Sequence, residues 1–207
     1  MKQPLPIGVQ TFSEVIRENY CYVDKTPLLH QLVTGGKYYF ISRPRRFGKS
    51  LMVSTLASLF AGERELFKGL SIEPLWDWSQ SFPVINISFG GGTIDSRAAL
   101  DHRLRHTLRR HEEQYGLTPR KEEDIPGLFS DLIIGLHQKF GQRVVLLIDE
   151  YDKPILDNLV AGRDEIAIAV REGLKGFYAV IKDSDQYVRF ALLTGVSKFS
   201  KVSLFSG

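Results

Sequence analysis

An α/β fold with a mostly parallel sheet and helices on both faces is predicted by three observations. Short β-branched or aromatic runs alternate with longer segments of helical spacing along the chain. No repeat, low-complexity tract or linker interrupts the alternation. Two of the short runs end in residues with chemical character, Gly-Lys-Ser after one and Asp-Glu after another, as strands of an open sheet do at their carboxyl edge.

The strand candidates are "KYYFIS" (37–42), "FPVINISF" (82–89), "RVVLLID" (143–149) and "YVRFALLT" (187–194), each bounded by polar residues or glycine. Helical spacing occupies 50–61, 96–115, 124–139 and 163–182. In the second of these, Leu100, Leu104 and Leu108 recur every four residues and form one apolar stripe. The preceding segment, 1–36, reads as a helical layer: Thr26 can cap a helix, Pro27 suits its first position, and Gly35 and Gly36 suit its exit. Residues 37–207 then form the α/β core, and the whole chain reads as one domain.

Composition narrows the function. The 207 residues are 43% hydrophobic, enough for one substantial core. The balance of 27 basic against 24 acidic residues, net +3, does not by itself imply a nucleic-acid partner. A single cysteine, Cys21, excludes an internal disulfide and a cysteine-built zinc site. With no apolar h-region at the N-terminus and no run of about 18 apolar residues, the expectation is a cytoplasmic protein without a membrane span.

A phosphate-binding loop needs backbone N–H groups converging on one concavity, a lysine for the outer phosphates and a hydroxyl for magnesium. "FGKS" (47–50) supplies all three: Gly48 allows close backbone approach, Lys49 carries the charge, and Ser50 is the magnesium-side hydroxyl. The helix that starts here points its positive dipole end at the same anion. The entrance is unusual, because Arg43 stands where the first glycine of G-x-x-x-x-G-K-[ST] belongs and Pro44 follows. Proline removes one donor and stiffens the entry, yet residues 46–50 keep theirs, so phosphate binding is expected to survive. Gly-Lys-[Ser/Thr] alone arises by chance in about one chain in ten of this length, and Arg43, Arg45 and Arg46 equally suit a nucleic-acid patch.

"VVLLIDEYDKP" (144–154) favours the nucleotide reading, because an apolar strand ends in paired carboxylates. Asp149 would hold magnesium, commonly through water, opposite Ser50, and Glu150 would orient or deprotonate the attacking water. A helix start capped by acid is the plain alternative. About a hundred residues and one complete strand separate the two motifs, room for a further strand between theirs. That strand is 187–194, whose polar end, Thr194 or else Ser197, would face the outer phosphate.

Other features carry less. The basic helix "DHRLRHTLRRHEEQYG" (101–116) places His102 and His106 on one face without a third metal ligand. It reads as a solvated face, although Arg103, Arg109 and Arg110 could touch a phosphate backbone. "GGGT" (90–93) lacks a lysine and reads as a turn. Asp152 and Lys153 suit either the capping of a helix near Pro154 or contact with water or a second subunit. Tyr20, Tyr22 and Val23 read as core, with a place beside adenine as the alternative.

Four segments, "NYCYVDKT" (19–26), "FISRPRRFGKSL" (40–51), "VVLLIDEYDKPI" (144–155) and "ALLTGVSKFSKVSLFSG" (191–207), together resemble the AAA-ATPase-like family of bacteria and archaea. In that family the arginine-rich loop entrance is the rule. The resemblance implies a P-loop NTPase fold of the AAA-like additional-strand type, with ATP and Mg2+ as ligands. It implies a phosphate loop, or Walker A motif, of Arg45, Arg46, Phe47, Gly48, Lys49, Ser50 and Leu51. Ser50 and Asp149 would hold the metal, and Glu150 would be the acidic partner in Walker B. It also implies a following nuclease-like domain of the PD-(D/E)XK type, and oligomers such as rings. The chain ends at Gly207, 13 residues after Thr194, so a C-terminally truncated core without a lid is the expectation.

Overall fold

The computed structural model describes residues 3–119 and 124–197. Four strands, β1 (Tyr38–Ser42), β2 (Val84–Ser88), β3 (Val144–Asp149) and β4 (Val188–Gly195), form one sheet in the order β1-β4-β3-β2. Every neighbouring pair is parallel. The last strand therefore lies between the strand before Gly-Lys-Ser and the strand that ends in Asp149, as the motif spacing predicts. The seven helices of the described residues are α1 (Phe12–Arg17), α2 (Thr26–Gly35), α3 (Lys49–Phe60), α4 (Arg97–Gln114), α5 (Ile125–Phe140), α6 (Lys153–Leu156) and α7 (Asp164–Asp183). Each long helix begins and ends within two residues of the span its periodicity indicates.

Side chains along the strands alternate between two cores, because successive residues of a strand point to opposite faces. Ile85, Ile87, Val144, Leu146, Ile148, Ala191 and Leu193 join the core built with α4, α5 and α7. Val84, Val145, Leu147, Phe190 and Leu192 join the other, with Phe12, Leu29, Val33, Val53, Leu56 and Phe60 from α1, α2 and α3. Burial on both faces explains why 144–148 reads as an unbroken apolar run. Leu100, Leu104 and Leu108 are all buried, so the predicted stripe is the inner face of α4.

Local chemistry departs from the sequence reading at two places near the N-terminus. Thr26 is the first residue of α2, and its buried hydroxyl and its N–H both donate to Asp24 Oδ1, at 2.6 and 2.8 Å. Asp24 also accepts from Ser71 N at 2.8 Å, so this carboxylate ties the helix start to a distant turn. Tyr22 packs against the α1–α3 core, whereas Val23 is 70% exposed and belongs to no core.

Helix α4 is joined to the edge strand β2 by His111, whose Nε2–H donates to the Asn86 carbonyl at 3.0 Å. Burial pushes the imidazole below its ordinary pKa, the Asn86 bond opposing it to a smaller degree. The unfolded chain thus binds a proton near pH 6.5 that the folded chain resists. The stabilisation is complete above that pH and is lost as the pH falls from there to the folded value. The expected result is a fall in thermal midpoint between pH 7 and pH 5 that is smaller in His111→Gln, read by circular dichroism melts.

Candidate functional site

The carboxyl ends of the four strands converge on one edge. Ile41 pairs with Thr194 and Ser42 with Gly195, while Ser88 pairs with Asp149. The β1–β4 ladder runs one step further, Arg43 N donating to Gly195 O at 3.1 Å, which fixes where the arginine-rich loop begins.

The loop then turns into α3 through two left-handed residues, Arg46 (φ 66°) and Gly48 (φ 73°). Open space surrounds the Cβ position at Gly48, so its glycine answers to conformation and not to crowding. Among the described residues, the backbone N–H groups of Arg45, Arg46, Phe47 and Gly48 donate to no protein acceptor. They remain available beside the positive end of the twelve-residue α3. Phe40, Ile41, Phe47, Gly48, Lys49 and Met52 line an open cleft of about 490 Å³ at this point.

Lys49 is only 8% exposed, and its ammonium donates to the carbonyls of Arg43 and Pro44 at 2.9 and 3.0 Å. A buried ammonium needs acceptors, and the entry that lacks a glycine provides them. Pro44 is therefore not only a missing donor: its carbonyl helps to hold the lysine inside the loop. Arg43, Arg45 and Arg46 are exposed, and among the described residues none forms an ion pair with Asp24 or Asp152. Asp24 is engaged by Thr26 and Ser71, and Asp152 by residues beyond β4.

Asp149 lies at the centre of the edge, 5% exposed. Its Oδ2 accepts from Ser50 Oγ at 2.5 Å, and its Oδ1 accepts from the Thr194 hydroxyl and from Glu150 N at 3.1 Å. The structure thus joins three predicted site residues from three elements in one hydrogen-bonded set. Thr194 is fully buried and spends its hydroxyl on Asp149. Hard oxygen donors, a carboxylate and a hydroxyl in contact, are the donor set that magnesium takes together with water and phosphate oxygens, so Ser50 and Asp149 fit that ion. The described residues contain no group of three or more His, Cys, Asp or Glu side chains that could hold a metal by themselves.

Glu150 adopts φ 54°, a left-handed conformation uncommon for a residue with a side chain. Its carboxylate accepts no hydrogen bond among the described residues and rests against the exit of β2. A Cβ at Gly90 would lie 3.5 Å from Glu150 Oε2 and 3.3 Å from Ser88 Oγ. Within the GGGT segment, Gly90 leaves room for that carboxylate, and the Gly92 carbonyl accepts from Lys153 Nζ at 2.7 Å.

Asp152 precedes α6 but makes no side-chain cap. Its carboxylate turns to the chain beyond β4, a destination that sequence reading did not identify. On α4, His102, His106 and Arg110 are exposed, as a solvated face requires, while Arg109 pairs with the buried Glu112 at 2.8 Å. No helix among the described residues is long and apolar enough to cross a membrane.

A family model described as Predicted AAA-ATPase matches residues 6–205. The chain is also 53% identical, over all 207 residues, to an "Uncharacterized protein in vnfD 5'region" of Azotobacter chroococcum mcd 1, of which it spans 40%. No solved structure matches.

Proposed function

Since this chain belongs to the AAA-ATPase-like family, we propose that residues 1–207 act as one ATP-binding, magnesium-dependent ATPase domain of the additional-strand type. The observation that carries the reading is the contact of Ser50 with Asp149 at 2.5 Å beneath a loop with free backbone donors. The position of β4 between β1 and β3 supports the same class.

In this reading the free N–H groups of residues 45–48 and the dipole of α3 receive the phosphates, and Lys49 exchanges the Arg43 and Pro44 carbonyls for phosphate oxygens. Ser50 and Asp149 would hold magnesium, which would supply charge neutralisation at the transferred phosphoryl group. Thr194 holds the Asp149 carboxylate in its rotamer. Glu150, whose carboxylate is uncommitted, accepts a proton from or orients the water that attacks the outer phosphate. In the same reading the exposed Arg45 and Arg46 meet phosphate charge at the loop entrance.

The curated relative extends far beyond the length matched here. We assign hydrolysis the task of signalling to an effector in the remainder of such a protein, with the nuclease-like domain of the resemblance as the candidate. Phosphate release from ATP tests the enzyme reading. Magnesium-dependent turnover supports it. Binding of ATP without turnover would replace it with a nucleotide-gated binding module, whose salt-sensitive affinity for nucleic acid is then the next observable.

A further inference from the structure

The turn that carries Glu150 is held by contacts from the exit of β4 and from α7 that touch neither phosphate nor metal in the proposed reaction. Asp152 is 2% exposed, and its Oδ2 accepts from Val196 N at 3.0 Å, Ser197 N at 2.6 Å and Ser197 Oγ at 2.6 Å. The Tyr151 hydroxyl donates to Ser197 O at 3.0 Å, and the Tyr151 N–H donates to Thr194 O at 3.0 Å. Tyr178, from α7, donates to Tyr151 O at 3.1 Å. Gly195 makes the approach feasible: a Cβ there would fall 2.3 Å from Tyr151 Cε1 and 2.6 Å from Asp152 Oδ1.

A non-glycine residue in a left-handed conformation persists only where its surroundings over-determine it. Glu150 (φ 54°) is such a residue, and it is bracketed by Asp149, bound to Thr194, and by Tyr151 and Asp152, bound to residues 194–197. We propose that Tyr151 and Asp152 are positioning residues, which clamp the exit of β4 to the β3 turn and so hold the Glu150 carboxylate in its working place. Two backbone N–H groups and a hydroxyl, from Val196 and Ser197, converge on a single oxygen of the buried Asp152 carboxylate. This is a strong charge-assisted arrangement, and it spans the two strands that carry the acidic pair and Thr194. Residues 44–50 make no hydrogen bond to the clamp among the described residues, and the end of β1 meets the same segment only through Arg43 N to Gly195 O and Ser42 Oγ to Val196 O, so the effect falls on the hydrolytic step far more than on nucleotide affinity.

The inference rests on the ATPase reading for its catalytic consequence, and the test separates the two. In Asp152→Ala, turnover of ATP is expected to fall at least about tenfold while the Kd for magnesium and ATP stays within about threefold of the wild type. Asp152→Asn, which keeps an acceptor oxygen for the same donors, should recover most of the turnover. Hydrogen exchange gives a readout independent of activity. The Val196 and Ser197 amides should exchange at least about tenfold faster in Asp152→Ala, with the amides of β3 unchanged. Wild-type turnover in Asp152→Ala would overturn the proposal. So would a joint loss of affinity, turnover and β3 protection in both variants, the signature of a purely folding role. If the wild type releases no phosphate, the ATPase reading fails, and the exchange of these two amides alone decides the clamp.

Discussion

Glu150→Gln is expected to lower ATP turnover by about two to four orders of magnitude, the range for loss of a positioned general base, with ATP affinity retained. The glutamine keeps the shape of the side chain and its contact with the exit of β2 at Gly90. What it loses is the capacity to take a proton from water. The carboxylate accepts nothing from the described protein, so no internal hydrogen bond is broken and the fold should be unaffected. Steady-state phosphate release and calorimetric ATP binding, measured on the same preparation, check both halves of the expectation. Turnover equal to that of the wild type would remove Glu150 from water activation.

Lys49→Ala should weaken ATP binding by about a hundredfold, the equivalent of one strong charge-assisted contact. Two losses combine. The ammonium charge no longer meets the phosphates, and the carbonyls of Arg43 and Pro44 lose the donor that holds the loop entry together. Lys49→Arg separates the two contributions: its fork keeps the charge but does not fit the position of a buried ammonium. Affinity intermediate between the wild type and Lys49→Ala is the expected value, measured by the same titration.

The strands were legible because their burial is simple. Residues 144–148 are apolar throughout and buried on both faces, and 190–193 repeats the pattern, so run length and punctuation sufficed. The strand order followed from the spacing between the Gly-Lys-Ser and Asp-Glu segments, since the chain rules leave few arrangements. The two motifs put Asp149 opposite Ser50, whereas the direct hydrogen bond between them had no sequence signal.

What escaped the sequence was decided by partners far along the chain. Asp152 stands two residues before Pro154 at a helix start, so local reasoning assigns it a cap, but its donors lie 44 and 45 residues away. Asp24 takes the capping role that local pattern gives to Thr26, because a carboxylate there reaches both the helix start and Ser71. The left-handed backbone of Glu150 had no sequence signal at all, as strain of this kind is imposed by tertiary contacts. Val23 sits in an aromatic stretch that looks like core, yet only its neighbour Tyr22 reaches the apolar layer.

The central claim is that an arginine-entered, proline-stiffened loop works as a nucleotide site. Calorimetric titration of ATP into the wild-type chain, with and without magnesium, tests it most directly. One nucleotide bound per chain, more tightly with magnesium and about a hundredfold more weakly in Lys49→Ala, is the predicted result. Absence of saturable binding with magnesium present, or equal binding by Lys49→Ala, would contradict it and leave residues 43–50 as a basic patch.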